Sequence, residues 1–306
     1  MPRSWTRSSL ARRRKRLWPP VRPPAKTPER IFVLGRGNLG RSLDLAFRAA
    51  GHSTSLAPGR TGFIKLPSSG LVFLAVPDQA VHEVARTLAS LKPSPRLSFV
   101  HVSGALGLGA LHGLRNHPVG SFHPLQSFPA PRDPSAFRGI TVAVDASTPA
   151  LMRRLRALAR AIGARPKHVD DSQRALYHAA AVFASNYLIA SVGEAVKVLR
   201  SAGWEREEAE RSLQPLVEGV VANLRKRGVA KALTGPIRRG DVDTVRRHLA
   251  ALAAIPGDPP IEGVYRMLGQ VALEIATEAG LDPAAAEQTR RALTEKSAAT
   301  RRRRRE

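Results

Sequence analysis

The chain has 306 residues, enough for two domains with buried cores. It has no cysteine, which excludes disulfides, thiol nucleophiles and cysteine-ligated zinc and fits a reducing cytoplasm. Its net charge of +25 is concentrated at the ends, with nine Lys/Arg against one Glu in residues 1–29 and six against one in residues 296–306.

In chain order, residues 1–29 and 298–306 read as disordered basic tails, able to touch nucleic acid only non-specifically through counterion release. No apolar run approaches the roughly 20 residues that span a bilayer, so no membrane partner is expected. From residue 30 to 171 short apolar strands alternate with helices, the pattern of a parallel sheet. Ile31–Leu34 is a continuous apolar run, Gly35-Arg36-Gly37-Asn38-Leu39-Gly40 follows, and Arg41–Ala50 has helical spacing. Strand, G-x-G-x-x-G, helix is the order that a dinucleotide needs. The first glycine permits the tight turn, the second lets the backbone approach a pyrophosphate, and the third lets helix pack on strand. The helix N-terminus offers unpaired N–H groups to the anion.

A second strand is expected at His52–Leu56. NAD sites place Asp or Glu about 20 residues past the glycines, where it binds the ribose 2′-OH. Here no acidic residue stands between Asp44 and Asp78, and Arg60-Thr61 follows the strand. A cation beside a hydroxyl suits a 2′-phosphate, so Arg60 favours NADP; the alternative is a solvated arginine in a polar loop.

Further strands are expected at Gly62–Leu66, Leu71–Val76, Leu97–Val102, Val119–Phe122 and Gly139–Val144, with helices from Asp78 and at Ala150–Ile162. His123-Pro124 reads as a loop. From residue 172 to 297 the chain is Ala/Leu-rich with helical spacing: Gln173–Ala202, Glu205–Lys226, a helix capped by Asp241, Glu262–Ala279 and Pro283–Ser297. Leu233-Thr234-Gly235-Pro236 and Gly257–Pro260 interrupt it. The fold class is therefore an α/β Rossmann-like, doubly wound parallel sheet followed by an all-α C-terminal domain.

Ligands of such a sheet collect beyond the carboxyl ends of its strands. Three polar clusters fall there: Val76-Pro77-Asp78, Ser103-Gly104 and His123–Ser127. Val76 and Pro77 would border the nucleotide, while Ser103 and Gly104 would offer a hydroxyl and N–H groups to substrate. Proline after His123 restricts its backbone and aims its imidazole. In Gln173–Ala202, Ser185 lies only about 20° round a helix from His178 and roughly 10.5 Å along it, and Asn186 about 80° round. A histidine with an ordinary pKa of about 6.5 suits a proton donor to a developing alkoxide. His101, His112, His117 and His123 show no recognised ligand spacing, and no metal is expected.

On Leu34–Gly40, Leu74–Asp78, His101–Ala105, Ser121–Leu125, Tyr177–Tyr187 and Leu233–Pro236, residues 30–295 resemble a bacterial family of Rossmann-like proteins with a C-terminal helical domain of unknown function. That family is similar to ketopantoate reductases, pyrroline-5-carboxylate reductases and 6-phosphogluconate-type dehydrogenases. The resemblance implies an NADPH site on the first domain, a helical second domain that forms a homodimer, and catalysis in the cleft between them. Ketopantoate-type reductases use a lysine as general acid on the first interdomain helix, with asparagines further along it; here Gln173–Gly193 has no lysine. His178 would take the lysine's place, with Asn186 near an asparagine position.

The expectation is a cytoplasmic NADP-dependent oxidoreductase that reduces a small 2-oxo acid of ketopantoate type, or an imine. His178 or His123 would donate the proton, with Ser103, Gly104, Ser185, Asn186 and Thr234 orienting the substrate. The alternative is a non-catalytic NADP-binding regulatory protein, and a deazaflavin remains open as the redox partner of NADP.

Overall fold

The computed structural model describes residues 28–59, 65–255 and 261–295. Arg60, the basic tails, the Gly257–Pro260 turn and most of the strand expected at Gly62–Leu66 lie outside these residues; Lys65 and Leu66 are described and are not in a strand. The chain divides into two compact units, one ending at Ser185 and the other beginning at Asn186.

The first unit is built on seven strands, β1 (Arg30–Leu34), β2 (Ser53–Ala57), β3 (Gly70–Leu74), β4 (Leu97–His101), β5 (Val119–Pro124), β6 (Thr141–Ala146) and β7 (Arg165–His168). They lie in the order β2-β1-β3-β4-β5-β6-β7. The five strands from β2 to β5 run parallel, β6 is antiparallel to β5, and β7 is parallel to β6. The sheet is thus parallel over the part that follows the glycine motif and reverses at its far side. The strand order changes direction between β1 and β3, which places a crevice beyond their carboxyl ends.

Both faces of the sheet are covered, which is why the apolar residues of β1 and β3 run continuously rather than alternating and why β4 is buried throughout, at Ser98 and His101 as well. On one face Ile31, Val33, Phe73 and Phe122 pack with Leu43 and Phe47 of α1 (Asn38–Ala49) and Leu151, Leu155 and Leu158 of α3 (Pro149–Ala161). On the other, Leu34, Leu74 and Phe99 pack with Val81, Val84 and Leu88 of α2 (Asp78–Ser90) and with Leu111 and Leu114 of a 3₁₀ turn. Phe47, Phe73 and Phe122 meet ring to ring at 5.2–6.0 Å. Each such fully buried side chain contributes roughly 1.5–3 kcal/mol. The first unit closes with α4 (Arg174–Ala184).

The second unit is helical, with α5 (Asn186–Ser201), α6 (Arg206–Arg227), α7 (Val229–Ala232), α8 (Pro236–Arg239), α9 (Val242–Ala253), α10 (Ile261–Glu278) and α11 (Pro283–Thr294). Its core joins Ile237, Val245, Leu249, Leu273 and Leu293. Asp241 caps α9 as expected, accepting from the Thr244 N–H at 3.1 Å.

Two expectations need correction. His123 and Pro124 are the end of β5, not a loop, because β6 runs antiparallel alongside and pairs with both. The expected single helix Gln173–Ala202 is two helices, broken at Ser185 (φ −123°, ψ −70°). By length and composition Arg174–Ser201 is apolar enough to cross a membrane, which the short apolar runs of the sequence had not suggested. Its first residue, however, is an arginine buried in the sheet unit.

Candidate functional site

At the end of β1 the backbone must turn sharply beneath β3. Gly35 does so at φ +124°, and a Cβ there would stand 2.0 Å from the Ala75 carbonyl oxygen. A Cβ at Gly40 would stand 2.1 Å from the Gly35 oxygen. Both positions therefore need glycine for the fold itself. Gly37 differs: a Cβ there meets nothing within 4 Å. It is the N-cap of α1, makes no side-chain cap, and is followed by a first turn without acidic residues. The helix thus begins with space beside Gly37 and with no side-chain cap or carboxylate at its positive end, an arrangement that suits a pyrophosphate. The residues present fit a dinucleotide.

The neighbouring residues of the motif have separable tasks. Arg36 is exposed and its carbonyl accepts from Arg41 Nε at 2.8 Å. Asn38 Nδ2 donates to the Phe128 carbonyl at 3.1 Å, tying a later loop to the turn. Leu39 packs on the core. Val76 approaches from the end of β3, where Gly59 leaves it room, since a Cβ at Gly59 would lie 2.7 Å from Val76 Cγ1. Pro77 caps α2 and puts Asp78 in its first turn.

Next along the sheet lies a polar cluster built wholly from the first unit. Ser103 follows β4 and donates to Asp78 Oδ2 at 2.7 Å, while its oxygen accepts from the N–H groups of Ala105 and Leu106 at 3.2 and 3.1 Å. Its hydroxyl therefore shapes this turn and holds the Asp78 carboxylate. Gly104 lets two imidazoles close over the chain: a Cβ there would lie 2.8 Å from His123 Cε1, 2.9 Å from His123 Nε2 and 2.9 Å from His178 Cδ2. The rings of His123 and His178 are 6.4 Å apart. His123 Nδ1 is 2.8 Å from the Tyr177 hydroxyl, with the rings perpendicular.

Arg174 anchors α4 beneath this cluster. It is buried, and its guanidinium donates to Ser121 Oγ of β5 and to the carbonyls of Ser103 and Val169 at 3.4 Å. One turn later α4 presents Tyr177 and His178. His101, at the end of β4, is fully buried and neither ring nitrogen is hydrogen-bonded; the Gly107 backbone is near without reaching bonding geometry.

The electrostatics follow from this burial. His123 is pushed down to about 4, first by burial and then by the positive charges of His178 and Arg174, with Asp78 opposing. His101 is pushed down to about 3 by burial and by Arg174. Burial raises Tyr177 to about 12. At neutral pH the cluster holds a neutral His123, a protonated Tyr177 and a permanent cation at Arg174.

The structure thus brings together His123, His178, Ser103 and Gly104 of the expected residues. Ser185 ends α4 and donates to the Ala181 carbonyl at 2.7 Å. Asn186 and Thr234 belong to the second unit, Asn186 as the first residue of α5 and Thr234 between α7 and α8. Sequence reasoning placed Asp78 in a cluster beyond the strands but gave it no role, and it missed Tyr177 and Arg174 as parts of the site. Tyr177 had a signal in its place beside His178, but its partner is 54 residues away. The second unit has its own cavity of about 450 Å³, walled by Leu213, Leu252 and Leu268 with a His248–Tyr265 hydrogen bond at 2.9 Å, and none of the expected residues lines it.

With this geometry in view, comparison with known proteins is informative about the fold. Residues 140–272 match the model of a domain of unknown function, DUF2520. No curated protein sequence matches. Among solved structures, a candidate NADP oxidoreductase from Bacteroides fragilis is 22% identical, with 81% of this chain and 98% of that one covered and a TM-score of 0.66. A protein from Thermotoga maritima is likewise 22% identical over 81% and 98%, with a TM-score of 0.65. An NADH-preferring ketol-acid reductoisomerase from an uncultured archaeon is 15% identical over 86% and 82%, with a TM-score of 0.54. The chain has the fold of Rossmann-type oxidoreductases with a helical C-terminal domain, as the glycine motif and the helical spacing led us to expect.

Proposed function

We propose that the chain is an NADP-dependent oxidoreductase that reduces a small 2-oxo acid of ketopantoate type, or an imine, at the polar cluster of the first unit. The observation that carries this reading is the line of features beyond one sheet. A glycine turn with an open backbone ends β1, and an Asp78–Ser103, His123–Tyr177 and His178 cluster ends β3, β4 and β5. The fold shared with oxidoreductases supports it. The choice of NADP rests on the absence of acidic residues between Asp44 and Asp78 and on Arg60.

When bound, a reduced nicotinamide supplies a hydride, with its electron pair, to the carbonyl carbon of the oxo acid and ends oxidised. As the carbonyl π bond breaks onto oxygen, His178 gives that oxygen a proton, and a 2-hydroxy acid results. His178 suits the task because its ring nitrogens have no hydrogen-bond partner among the described residues. The first-turn amides of α1 hold the pyrophosphate. For the second unit we propose homodimer formation through the apolar side chains that α6 and α10 leave exposed, among them Leu216, Val221, Met267 and Val271.

Fluorescence titration with NADPH and NADH, followed by NADPH oxidation with ketopantoate and pyrroline-5-carboxylate, tests the reading. Tighter binding of NADPH with turnover of either substrate supports it. Binding without turnover of any oxo acid or imine favours the regulatory alternative, which the absence of a lysine from α4 also favours. Binding of neither nucleotide overturns both.

A further inference from the structure

We propose that Tyr177 is a positioning residue: its hydroxyl donates to Nδ1 of His123 and fixes that imidazole in the tautomer with its proton on Nε2. The N–H so aimed is a standing hydrogen-bond donor, and what it does for a substrate oxygen rests on the reductase reading above. His123 then orients and stabilises, and the transferred proton comes from His178 alone.

A histidine and a tyrosine 2.8 Å apart can be bonded in either sense, the phenol donating to Nδ1 or Nδ1–H donating to the phenol. The surroundings select the first. Among the described residues the Tyr177 hydroxyl has no second partner, so in the reverse sense its hydrogen would be left without an acceptor on a half-buried group. With the phenol donating, both groups are satisfied and the one polar hydrogen left over is on Nε2. That nitrogen lies over Gly104 and makes no hydrogen bond to a described residue. It is not sealed in, unlike both ring nitrogens of His101. It therefore faces whatever enters the site.

The charged and titratable groups around His123 agree with a neutral ring. Arg174 and His178 of α4 disfavour a charge on the ring and Asp78 of α2 opposes them, while His101 of β4, also nearby, is itself held neutral by burial. Burial, the largest effect, holds the His123 imidazolium down to about 4 and the Tyr177 phenol up to about 12, so neither group gives up or takes a full charge near neutral pH. A histidine locked neutral can polarise a carbonyl by hydrogen bonding without serving as the acid.

The test reads the tautomer directly, without substrate. Long-range ¹H–¹⁵N correlation spectra of the ¹⁵N-labelled full chain should show His123 protonated at Nε2 and bare at Nδ1 from pH 5.5 to 8. Tyr177→Phe should turn this single form into a mixture. Gly104→Ala, whose methyl group would press on the rings of both His123 and His178, should do the same. Protonated Nδ1 in the wild type, or unchanged spectra in both variants, would overturn the proposal. In the kinetic arm with NADPH and ketopantoate, His123→Gln keeps an N–H near the place of Nε2 but cannot act as an acid. It should lower kcat by less than about tenfold, against about 100-fold or more for His123→Ala. Equal losses in the two variants would refute the donor role. Wild-type protein with the stated tautomer but no turnover would refute the reductase reading alone.

Discussion

Gly37→Asp separates the needs of the fold from the needs of the ligand, because the two respond with opposite signs. A side chain at 37 enters open space, and the backbone there (φ −68°, ψ 178°) is extended and open to any residue. Aspartate is a favoured N-cap, and its charge complements the helix N-terminus by about 0.3–1 kcal/mol, which should raise Tm by about 1–3 °C. The same carboxylate would stand where the pyrophosphate is proposed to bind, and two like unit charges about 4 Å apart repel. Repulsion there lies between about 1 kcal/mol in water and about 4 kcal/mol near a protein surface. Taking roughly 2 kcal/mol for this exposed position, NADPH affinity should fall about 30-fold. The contrast is Gly35→Ala, where the positive φ and the 2.0 Å approach to the Ala75 oxygen cost the fold roughly 2–6 kcal/mol in strain and overpacking. Thermal melts and NADPH fluorescence titrations read both effects. A Gly37→Asp variant that binds NADPH within about threefold of wild type would refute the placement of the phosphates at this helix.

Three further outcomes are expected. His101 is lowered to about 3 and His123 to about 4, so the unfolded chain binds more protons between those values and about 6.5. Stability should therefore be full above pH 6.5 and fall as pH drops towards 4; His101→Leu, which fills the same buried space without a proton to bind, should flatten this fall in urea melts at pH 5 and 7.5. Asp241→Ala should uncap α9 and lower the urea midpoint, with nucleotide binding unchanged. Met267→Glu on exposed α10 should shift a dimer to monomer in light scattering, and a wild-type monomer at micromolar concentration would refute the proposed interface.

The parts of this molecule that were legible in its sequence are those with a local physical cause. Ile31–Leu34 is apolar throughout because both faces of β1 are covered, and the glycines after it announce a turn whose first and third positions leave no room for a side chain. Asp241 was legible because an N-cap acts on a residue three positions away. β7 was not, because Arg165-Pro166-Lys167-His168 is a polar edge strand with a proline, held by its pairing with β6 rather than by an apolar pattern. The end of β5 was hidden for a similar reason, since His123-Pro124 has the chemistry of a turn and only the antiparallel neighbour keeps it extended. The break at Ser185 has no glycine or proline to mark it. In the site, His123 and His178 stood out as residue types, whereas the bonds that define their roles join Asp78 to Ser103 and His123 to Tyr177 across chain separations of 25 and 54.

The missing lysine gains a physical account from the same cluster. A lysine general acid combines a positive charge and a transferable proton in one flexible group. On the proposed reading these tasks are divided. Arg174 supplies a charge that cannot be titrated away, and its burial against Ser121 and the Ser103 and Val169 carbonyls keeps it fixed. That fixed charge favours a developing alkoxide nearby, and it also helps to hold the His123 imidazole neutral. One consequence is a constraint on the order of repair. A lysine at position 178 would set its own cation against the fixed charge of Arg174. Repulsion from Arg174 would weaken the lysine's hold on its proton. Arg174→Met with His178→Lys removes that conflict. Of the two lysine-bearing proteins, the double variant should retain the greater turnover, measured as NADPH oxidation with ketopantoate. The reverse ranking would mean that Arg174 serves only to hold α4 on the sheet.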